Sequence, residues 1–226
     1  MPLSPIDAHR LWAPTYDVTP NPLLDLELRA LSAKLAPWTY NRVADLACGT
    51  GRWMSFAASK GARVFGVDLC RPMLERAAAK SALSARLVHA TADSSALASA
   101  SFDLVLCSFA LGFFPDPAVL IYEMHRLAVP GGRVVLSDMH PTALAAGWKR
   151  TFRTEDALHE ISHTPYSESH LLDVAAAAGL LLSRTYSFFF GLPERATFRC
   201  IGKLHLYEAA AGLPAVWAAI WRKPSP

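Results

Sequence analysis

Short runs rich in valine and leucine alternate with helical segments between residues 42 and 137. The apolar residues in these runs are continuous rather than alternating with polar ones, which is typical of strands covered on both faces. Strands joined through helices form a parallel sheet with right-handed crossovers. The pattern therefore predicts an α/β fold with a doubly wound, mostly parallel sheet. The predicted strands are residues 43–47, 63–67, 86–90, 102–107 and 133–137.

The helices predicted between these strands are marked by proline and glycine. One covers residues 53–59, and a second begins at Pro72 and continues to about Ser81. A third begins at Asp116 and Pro117, since an aspartate cap followed by proline favours a helix start. It is expected to stop at the Pro-Gly-Gly segment 130–132.

Segments outside this pattern complete the predicted architecture. Residues 1–40 are interpreted as a proline-rich lead-in followed by a helix, which together form an N-terminal helical cap. Residues 139–166 are rich in histidine and aromatic residues and are interpreted as an insertion after the fifth strand, a lid over the acceptor site. A helix is predicted over residues 167–178. Two apolar segments, 180–190 and 215–221, then add an antiparallel pair with a long connection, which gives a seven-stranded sheet.

The composition excludes several classes of protein. Hydrophobic residues make up 52% of the chain and charged residues 18%, which excludes a disordered chain and supplies the core of a single domain over residues 1–226. The longest stretch without Asp, Glu, Lys or Arg, residues 209–221, is too short and too interrupted to cross a bilayer, so no membrane span is expected. The net charge of +3 is scattered without a basic run, so nucleic acid is not expected as a partner.

The cysteines indicate a reduced compartment. The chain has four, without a C-x-x-C pair or a Cys/His cluster of zinc spacing, so no metal site is expected. The first residues lack a basic region followed by an apolar one, so no secretory signal is expected. Thiols within apolar segments then favour a cytoplasmic location.

Polar residues and glycines follow the predicted strands at their carboxyl ends, where open parallel sheets bind ligands. Gly49 and Gly51 allow the backbone to turn tightly and to approach a ligand. Asp68, 17 residues after Gly51, suits a carboxylate that accepts hydrogen bonds from ribose hydroxyls. Asp93 follows the third strand, where it would reach an exocyclic amine. Together these residues indicate a site for an adenosine-like group, although the glycines would also serve a simple turn and Asp93 a local cap.

The remainder of this ligand is better described as cationic than as a diphosphate. A dinucleotide-binding fingerprint requires a third Gly or Ala where this chain has Met54. Asp45 adds negative charge beside the loop, which favours an ammonium or sulfonium group over phosphates. Asp45 would alternatively order only its own loop.

Five segments carry a resemblance to a known family: 43–52 (VADLACGTGR), 66–74 (GVDLCRPML), 92–94 (ADS), 101–108 (SFDLVLCS) and 123–133 (EMHRLAVPGGR). In this order they resemble the motifs of class I S-adenosylmethionine-dependent methyltransferases. The resemblance spans roughly residues 16–138 and is strongest to the small-molecule enzymes of the quinone-pathway and biotin-pathway type. It implies a Rossmann-like methyltransferase fold, with S-adenosylmethionine as the donor and S-adenosylhomocysteine as the product.

The resemblance also implies roles for individual residues. Asp45 and the backbone of residues 47–51 hold the methionyl part, and Tyr16 caps it. Asp68 takes the ribose hydroxyls, while the neighbouring residues contact the adenine. The implied cofactor-binding residues are Tyr16, Asp45, Ala47, Cys48, Gly49, Gly51, Asp68, Leu69, Met73, Asp93, Ser94 and Ser108.

The acceptor is expected to be a small apolar or aromatic molecule, because a surplus of aromatic residues falls where loops would cover it. Methyl transfer from a sulfonium is an in-line displacement, so the protein mainly aligns the reactants. His140 and His163 are the candidates for deprotonating the acceptor, and either would alternatively be a packed histidine. Which atom is methylated stays open at this stage.

Two further functions remain as alternatives. One is a nicotinamide-dependent oxidoreductase, against which Met54 and Asp45 count. The other is a fold relative that binds the cofactor without transferring methyl. A nucleic-acid acceptor is disfavoured because the Asn/Asp-Pro-Pro-aromatic motif is missing after the fourth strand, where the chain reads Ser108-Phe-Ala-Leu.

Overall fold

The order of the strands in the main sheet places a crevice beside its first strand. The computed structural model describes residues 1–80 and 86–225. Its strands are β1 (Arg42–Leu46), β2 (Arg63–Asp68), β3 (Arg86–His89), β4 (Phe102–Ser108), β5 (Ala128–Met139), β6 (Thr151–Arg153), β7 (Leu158–Glu160), β8 (Leu181–Phe188) and β9 (Val216–Arg222). In this part of the chain, seven strands form one sheet in the order β3-β2-β1-β4-β5-β9-β8. The order reverses between β1 and β4, and a crevice opens at such a reversal.

The sheet is parallel through β5 and antiparallel at one side, since β9 pairs antiparallel with both β5 and β8. This arrangement confirms the predicted doubly wound, mostly parallel fold and the predicted closing pair of strands. Strands β6 and β7 form a separate antiparallel hairpin within the insertion.

The helices cover both faces of the sheet. Their bounds are α1 (Pro5–Trp12), α2 (Pro22–Leu35), α3 (Arg52–Ser59), α4 (Arg71–Ala78), α5 (Pro117–Leu127), α6 (Pro141–Ala145), α7 (Glu168–Ala177), α8 (Leu192–Cys200) and α9 (Tyr207–Ala211). Several begin with proline after a capping side chain; Asn21 and Asp116, for example, accept hydrogen bonds from backbone N–H groups of α2 and α5. No helix of the described ranges is both long and apolar enough to span a bilayer.

Two apolar layers hold the helices to the sheet. Helices α5 and α7 pack on one face, where Trp217 and Trp221 of β9 are buried. Helices α2, α3 and α8 pack on the other face, around Met54 and Phe198. Because every central strand is buried on both sides, its sequence is a continuous apolar run.

The structure corrects several predicted boundaries. The lead-in contains a helix, α1, which forms because Ala8 and Trp12 pack on Phe152 and Ile161 of the insertion. Helix α5 ends at Leu127, before the Pro-Gly-Gly segment, and that segment belongs to β5. The reason is tertiary: backbone groups of Gly131 and Gly132 exchange hydrogen bonds with Lys223.

Two other predictions differ in detail. Helix α4 ends at Ala78, and the predicted end near Ser81 lies outside the described residues. The long connection between β8 and β9 contains α8 and α9, which the sequence analysis did not predict.

A buried carboxylate attaches α2 to the carboxyl ends of the central strands. Glu27 has no exposed surface. Its Oε2 accepts a hydrogen bond from Arg52 at 2.5 Å, and its Oε1 accepts hydrogen bonds from Trp53 Nε1 at 3.0 Å, Ser108 Oγ at 2.9 Å and Ser137 Oγ at 2.5 Å. One side chain therefore joins α2, α3, β4 and β5, and it neutralises the Arg52 cation.

We expect Glu27→Ala to lower the free energy of unfolding by about 3–5 kcal/mol, because it leaves a buried guanidinium and several buried donors without their acceptor. Urea unfolding measures this change. Glu75→Ala is the matched control, since it removes an exposed ion pair with Arg71 and should cost less than about 0.5 kcal/mol. Equal losses in the two variants would contradict the role assigned to Glu27.

Candidate active site

A cavity of about 1140 Å³ opens at the carboxyl ends of β1, β2 and β4. It lies at the reversal of strand order, where doubly wound sheets bind ligands. The N-terminal segment, the insertion and the connection between β8 and β9 supply its other walls. Pockets of this size accept a small molecule together with a cofactor.

The glycine loop after β1 has a backbone that few other residues adopt. Gly49 has φ +55° and Gly51 has φ +81°, and Ala47 shares this left-handed region with φ +54°. A Cβ on Gly49 would meet no atom within 4 Å, so its conformation, rather than lack of space, requires glycine. Strain of this kind concentrates at ligand sites.

Helix α3 lies tightly against β2 because Gly66 has no side chain at the contact. A Cβ on Gly66 would come within 2.4 Å of Met54 Sδ and 2.8 Å of Cys48 Sγ. Met54 therefore occupies the space in which a dinucleotide-binding fingerprint places its third small residue. Methionine at this position therefore packs α3 against β2.

The carboxylate of Asp68 is fixed against the glycine loop. It accepts hydrogen bonds from Gly49 N–H and Cys70 N–H, each at 2.7 Å. Burial raises the pKa of Asp68, and these two hydrogen bonds oppose the rise. The arrangement holds an acceptor group for hydroxyl donors beside a loop that a ligand can approach closely.

Two further aspartates line the same cavity. Asp45 is buried at the end of β1, and burial raises its pKa well above the usual range, an effect that the nearby Arg52 cation opposes. Asp93, which follows β3, is half-buried. The carboxyl groups thus converge on one end of the cavity, where they can hold a cationic or hydroxyl-rich ligand.

The structure brings most of the predicted cofactor residues together at the cavity wall. Those that line it are Tyr16, Asp45, Ala47, Cys48, Gly49, Asp68, Leu69, Asp93 and Ser108. Gly51, Met73 and Ser94 do not line it. Met73 packs behind the wall against Cys70 and Tyr16.

The two histidines predicted to act on the acceptor point elsewhere. His140 caps α6: its Nδ1 accepts from Thr142 N–H at 3.1 Å, so its Nε2 carries the proton and donates to Ser187 Oγ at 3.0 Å. His163 contacts the Ile161 carbonyl through Nδ1. Neither side chain lines the cavity, so the geometry gives no support to a role in proton transfer.

Sequence reasoning missed a clamp over the glycine loop. Thr50 Oγ1 donates to Asp17 at 2.6 Å, and Lys80 Nζ donates both to Asp17 and to the Thr50 carbonyl. The sequence signal for this clamp was that Asp17 directly follows Tyr16, a predicted cofactor residue. The clamp holds the N-terminal segment down over the strand ends.

Arg52 was also missed, although it directly follows the glycine loop. Its Nη2 donates to Ser108 Oγ at 3.0 Å while Nη1 is bound to Glu27. Burial lowers the pKa of Arg52, but the Glu27 carboxylate outweighs this and the net shift is upward. In the described part of the chain, no cluster of three or more His, Cys, Asp or Glu side chains is arranged to hold a metal ion.

Comparisons with known proteins agree with this geometry. The methyltransferase domain family matches residues 44–136. A ubiquinone biosynthesis O-methyltransferase from Ralstonia nicotianae is 35% identical over 144 residues, which are 61% of this chain and 60% of that protein. A demethylmenaquinone methyltransferase from Staphylococcus aureus is 38% identical over 104 residues, 43% of each chain. The chain therefore spans about 60% of the length of the first of these relatives.

The fold extends the similarity along most of the chain. The crystal structure of an S-adenosylmethionine-dependent methyltransferase from Mesorhizobium loti superposes with a TM-score of 0.67 at 25% identity, covering 87% of this chain and 97% of that one. The matched motifs, the order of the strands and the aspartates at the strand ends lead to one conclusion. The predicted resemblance to class I S-adenosylmethionine-dependent methyltransferases is confirmed, with the methyltransferase domain at residues 44–136.

Proposed function

We propose that this protein transfers a methyl group from S-adenosylmethionine to a small apolar or aromatic molecule and releases S-adenosylhomocysteine. The observation that carries the proposal is the Asp68 carboxylate, bound to Gly49 N–H at the reversal of strand order. That position fits a ribose diol, and the similarity to methyltransferases supplies the donor. The residues present fit this donor because its positive charge and hydroxyls meet the aspartate end of the cavity.

The proposed donor contacts follow the cavity wall. Asp68 accepts from the ribose hydroxyls, and Asp93 and Leu69 flank the adenine. Asp45 and the loop at residues 47–51 hold the methionyl end under Tyr16. Met73 supports this wall from behind, whereas Ser94 is exposed and does not line the cavity.

The chemistry asks little of the protein beyond alignment. When bound, S-adenosylmethionine supplies a methyl group on a positively charged sulfur, already activated for displacement. The chain positions the acceptor in line with that group and excludes water. Tyr16, the Asp17–Thr50–Lys80 clamp and the insertion would exclude water from the two sides of the site. We propose that residues 1–40 and 139–166 act in this way as cap and lid within one domain over residues 1–226.

The acceptor half of the cavity supports an apolar substrate. Its wall contains Phe109, Trp148, Phe190 and Phe198, and Trp148 stacks on Phe190 at 6.0 Å. The first relatives are named for ubiquinone and menaquinone biosynthesis, which agrees with an apolar ring. A small molecule rather than a nucleic acid is therefore proposed as the acceptor. The cytoplasm is proposed as the location, in keeping with the free cysteines.

A nicotinamide-dependent oxidoreductase fits the site less well. Met54 fills the position that a diphosphate-binding turn keeps small, and Asp45 would oppose phosphates. A relative that binds the donor without methyl transfer shares the donor site, and turnover of labelled S-adenosylmethionine with small aromatic hydroxyl compounds separates it from a transferase.

Asp68→Ala is expected to weaken binding of S-adenosylhomocysteine by more than about tenfold, because two hydrogen bonds to a charged acceptor are lost. Isothermal calorimetry measures the change. Asp156→Ala removes an exposed carboxylate away from the cavity and should bind like the original chain. Unchanged affinity in a folded Asp68→Ala variant would remove the basis of the donor assignment.

Ligand-induced stabilisation is expected to separate the two cofactor classes. At about 100 times its Kd, S-adenosylhomocysteine should add about 2.7 kcal/mol to the free energy of unfolding and raise Tm by several degrees. NAD⁺ at the same concentration should leave Tm unchanged, since the site opposes its diphosphate. Differential scanning calorimetry provides the test, and a Tm increase with NAD⁺ alone would favour the oxidoreductase.

A further inference from the structure

A histidine in α1, which the sequence analysis did not single out, lines the cavity with one ring nitrogen free. His9 Nδ1 lies 2.7 Å from the Pro5 carbonyl oxygen. A carbonyl only accepts hydrogen bonds, so Nδ1 carries the proton and Nε2 carries a lone pair. No other residue of the described chain forms a hydrogen bond with this ring, and Nε2 therefore remains available to a ligand.

The surroundings keep His9 neutral at physiological pH. Burial lowers its pKa below the usual value; the Asp68 carboxylate opposes this effect and the Arg150 guanidinium adds to it. The hydrophobic contact of α1 with the start of α4 is made by Ile6, Cys70 and Met73, and the Arg10 cation of α1 also lies near Cys70. A neutral imidazole with a fixed tautomer is a proton acceptor.

A buried arginine from the insertion lines the same cavity. Arg150 Nη1 donates to the Phe109 carbonyl at 2.8 Å, and Nη2 donates to Asp138. Its Nε is buried and has no hydrogen-bond partner among residues 1–80 and 86–225. A buried N–H without an acceptor is costly, so the contacts of Arg150 leave part of its hydrogen-bonding capacity unfilled.

The carboxylate that pairs with Arg150 is shared with other donors. Asp138 also accepts hydrogen bonds from the backbone N–H groups of Gly112 and Met139. Burial lowers the pKa of Arg150 to about 10, which shows that desolvation outweighs its favourable contacts. An anionic ligand at this guanidinium would therefore be stabilised.

The base and the cation both contact one aromatic ring. The His9 ring meets Phe113 edge-on at 5.3 Å between centroids, and the Arg150 guanidinium lies 5.0 Å from the centre of that ring. Phe109, whose carbonyl binds Arg150, has φ +54°, a left-handed conformation that costs energy in a phenylalanine. In this conformation the Phe109 carbonyl accepts the hydrogen bond from the guanidinium.

We propose that His9 and Arg150 form the subsite for the acceptor hydroxyl, and that the acceptor is a phenol-like molecule methylated on oxygen. This inference rests on the proposed methyl transfer. The acceptor O–H bond breaks and its proton moves to His9 Nε2, while Arg150 stabilises the resulting oxyanion. The oxygen forms a bond to the methyl carbon as the carbon–sulfur bond breaks, and that electron pair goes to the sulfur. His9 then returns the proton to water.

The test uses the full chain saturated with S-adenosylhomocysteine and 4-nitrophenol as the probe, because the anion of this phenol absorbs visible light. We expect the bound probe to ionise at least about tenfold more readily than the free probe, a fall of about one pKa unit. In histidine-labelled protein, the His9 NMR signal, assigned with His9→Gln, should move to its imidazolium position when the probe binds.

Each substitution should remove a defined part of this response. His9→Gln should reduce the ionisation of the bound probe, and Arg150→Met should abolish it while S-adenosylhomocysteine still binds. Arg71→Met is the matched control for charge, because Arg71 is exposed, paired with Glu75 and does not line the cavity. His125→Gln is the control for a second histidine with a pKa lowered by burial, away from the cavity.

Arg150→Met leaves Asp138 unpaired, so the double variant Asp138→Asn/Arg150→Met provides the same test if the single variant does not fold. The proposal is overturned if the probe does not bind, if its ionisation is unchanged in the Arg150 variants, or if His140→Gln or His163→Gln removes the response and His9→Gln does not. Calorimetry distinguishes failure of this inference from failure of the proposed function. Absence of S-adenosylhomocysteine binding to the unaltered chain contradicts the proposed function itself.

Discussion

The buried carboxylate of Glu27 is the contact on which the geometry of the site depends. A charged group without exposed surface is stable only when its hydrogen-bonding capacity is filled, and Glu27 has donors from α3, β4 and β5. Its ion pair with Arg52 fixes the first turn of the helix that follows the glycine loop. The same contacts fix α2, and with it the N-terminal segment that crosses the strand ends. The glycine loop and the N-terminal segment are therefore held in place by one set of hydrogen bonds.

Charge is distributed unevenly around the cavity, and the proposed donor and acceptor ends differ in their charge. Asp45, Asp68 and Asp93 face the end formed by β1, β2 and β3, where burial raises the pKa of the first two carboxyl groups. Arg150 and the aromatic side chains belong to the other half. A cationic, hydroxyl-rich donor and an apolar acceptor with a developing negative charge would each meet a complementary surface.

The acceptor half is built from segments that are remote in sequence. Helix α1 packs on the insertion through Trp12 and Phe152, whose rings stack at 5.1 Å, and Leu3 pairs with the end of β7 through its backbone. This contact brings His9 and Arg150 to the same aromatic ring. In the proposed function, the strand ends thus supply the donor site, whereas the added segments supply the acceptor surface.

Local sequence determined the α/β class, the position of the crevice and most of the donor wall. The reason is that continuous apolar runs, helix-capping residues and the glycine loop each determine the local backbone conformation within a few residues. Only the tertiary structure decided which polar residues are buried and which line the cavity. Glu27 stands in a helix with Asp25 and Arg29 as neighbours, and nothing local distinguishes the one that is buried. His140 and His163 had positions suitable for catalysis, but their ring nitrogens bind Thr142, Ser187 and Ile161. His9 lines the cavity because a short N-terminal helix forms against a distant insertion, a long-range contact that no local pattern encodes.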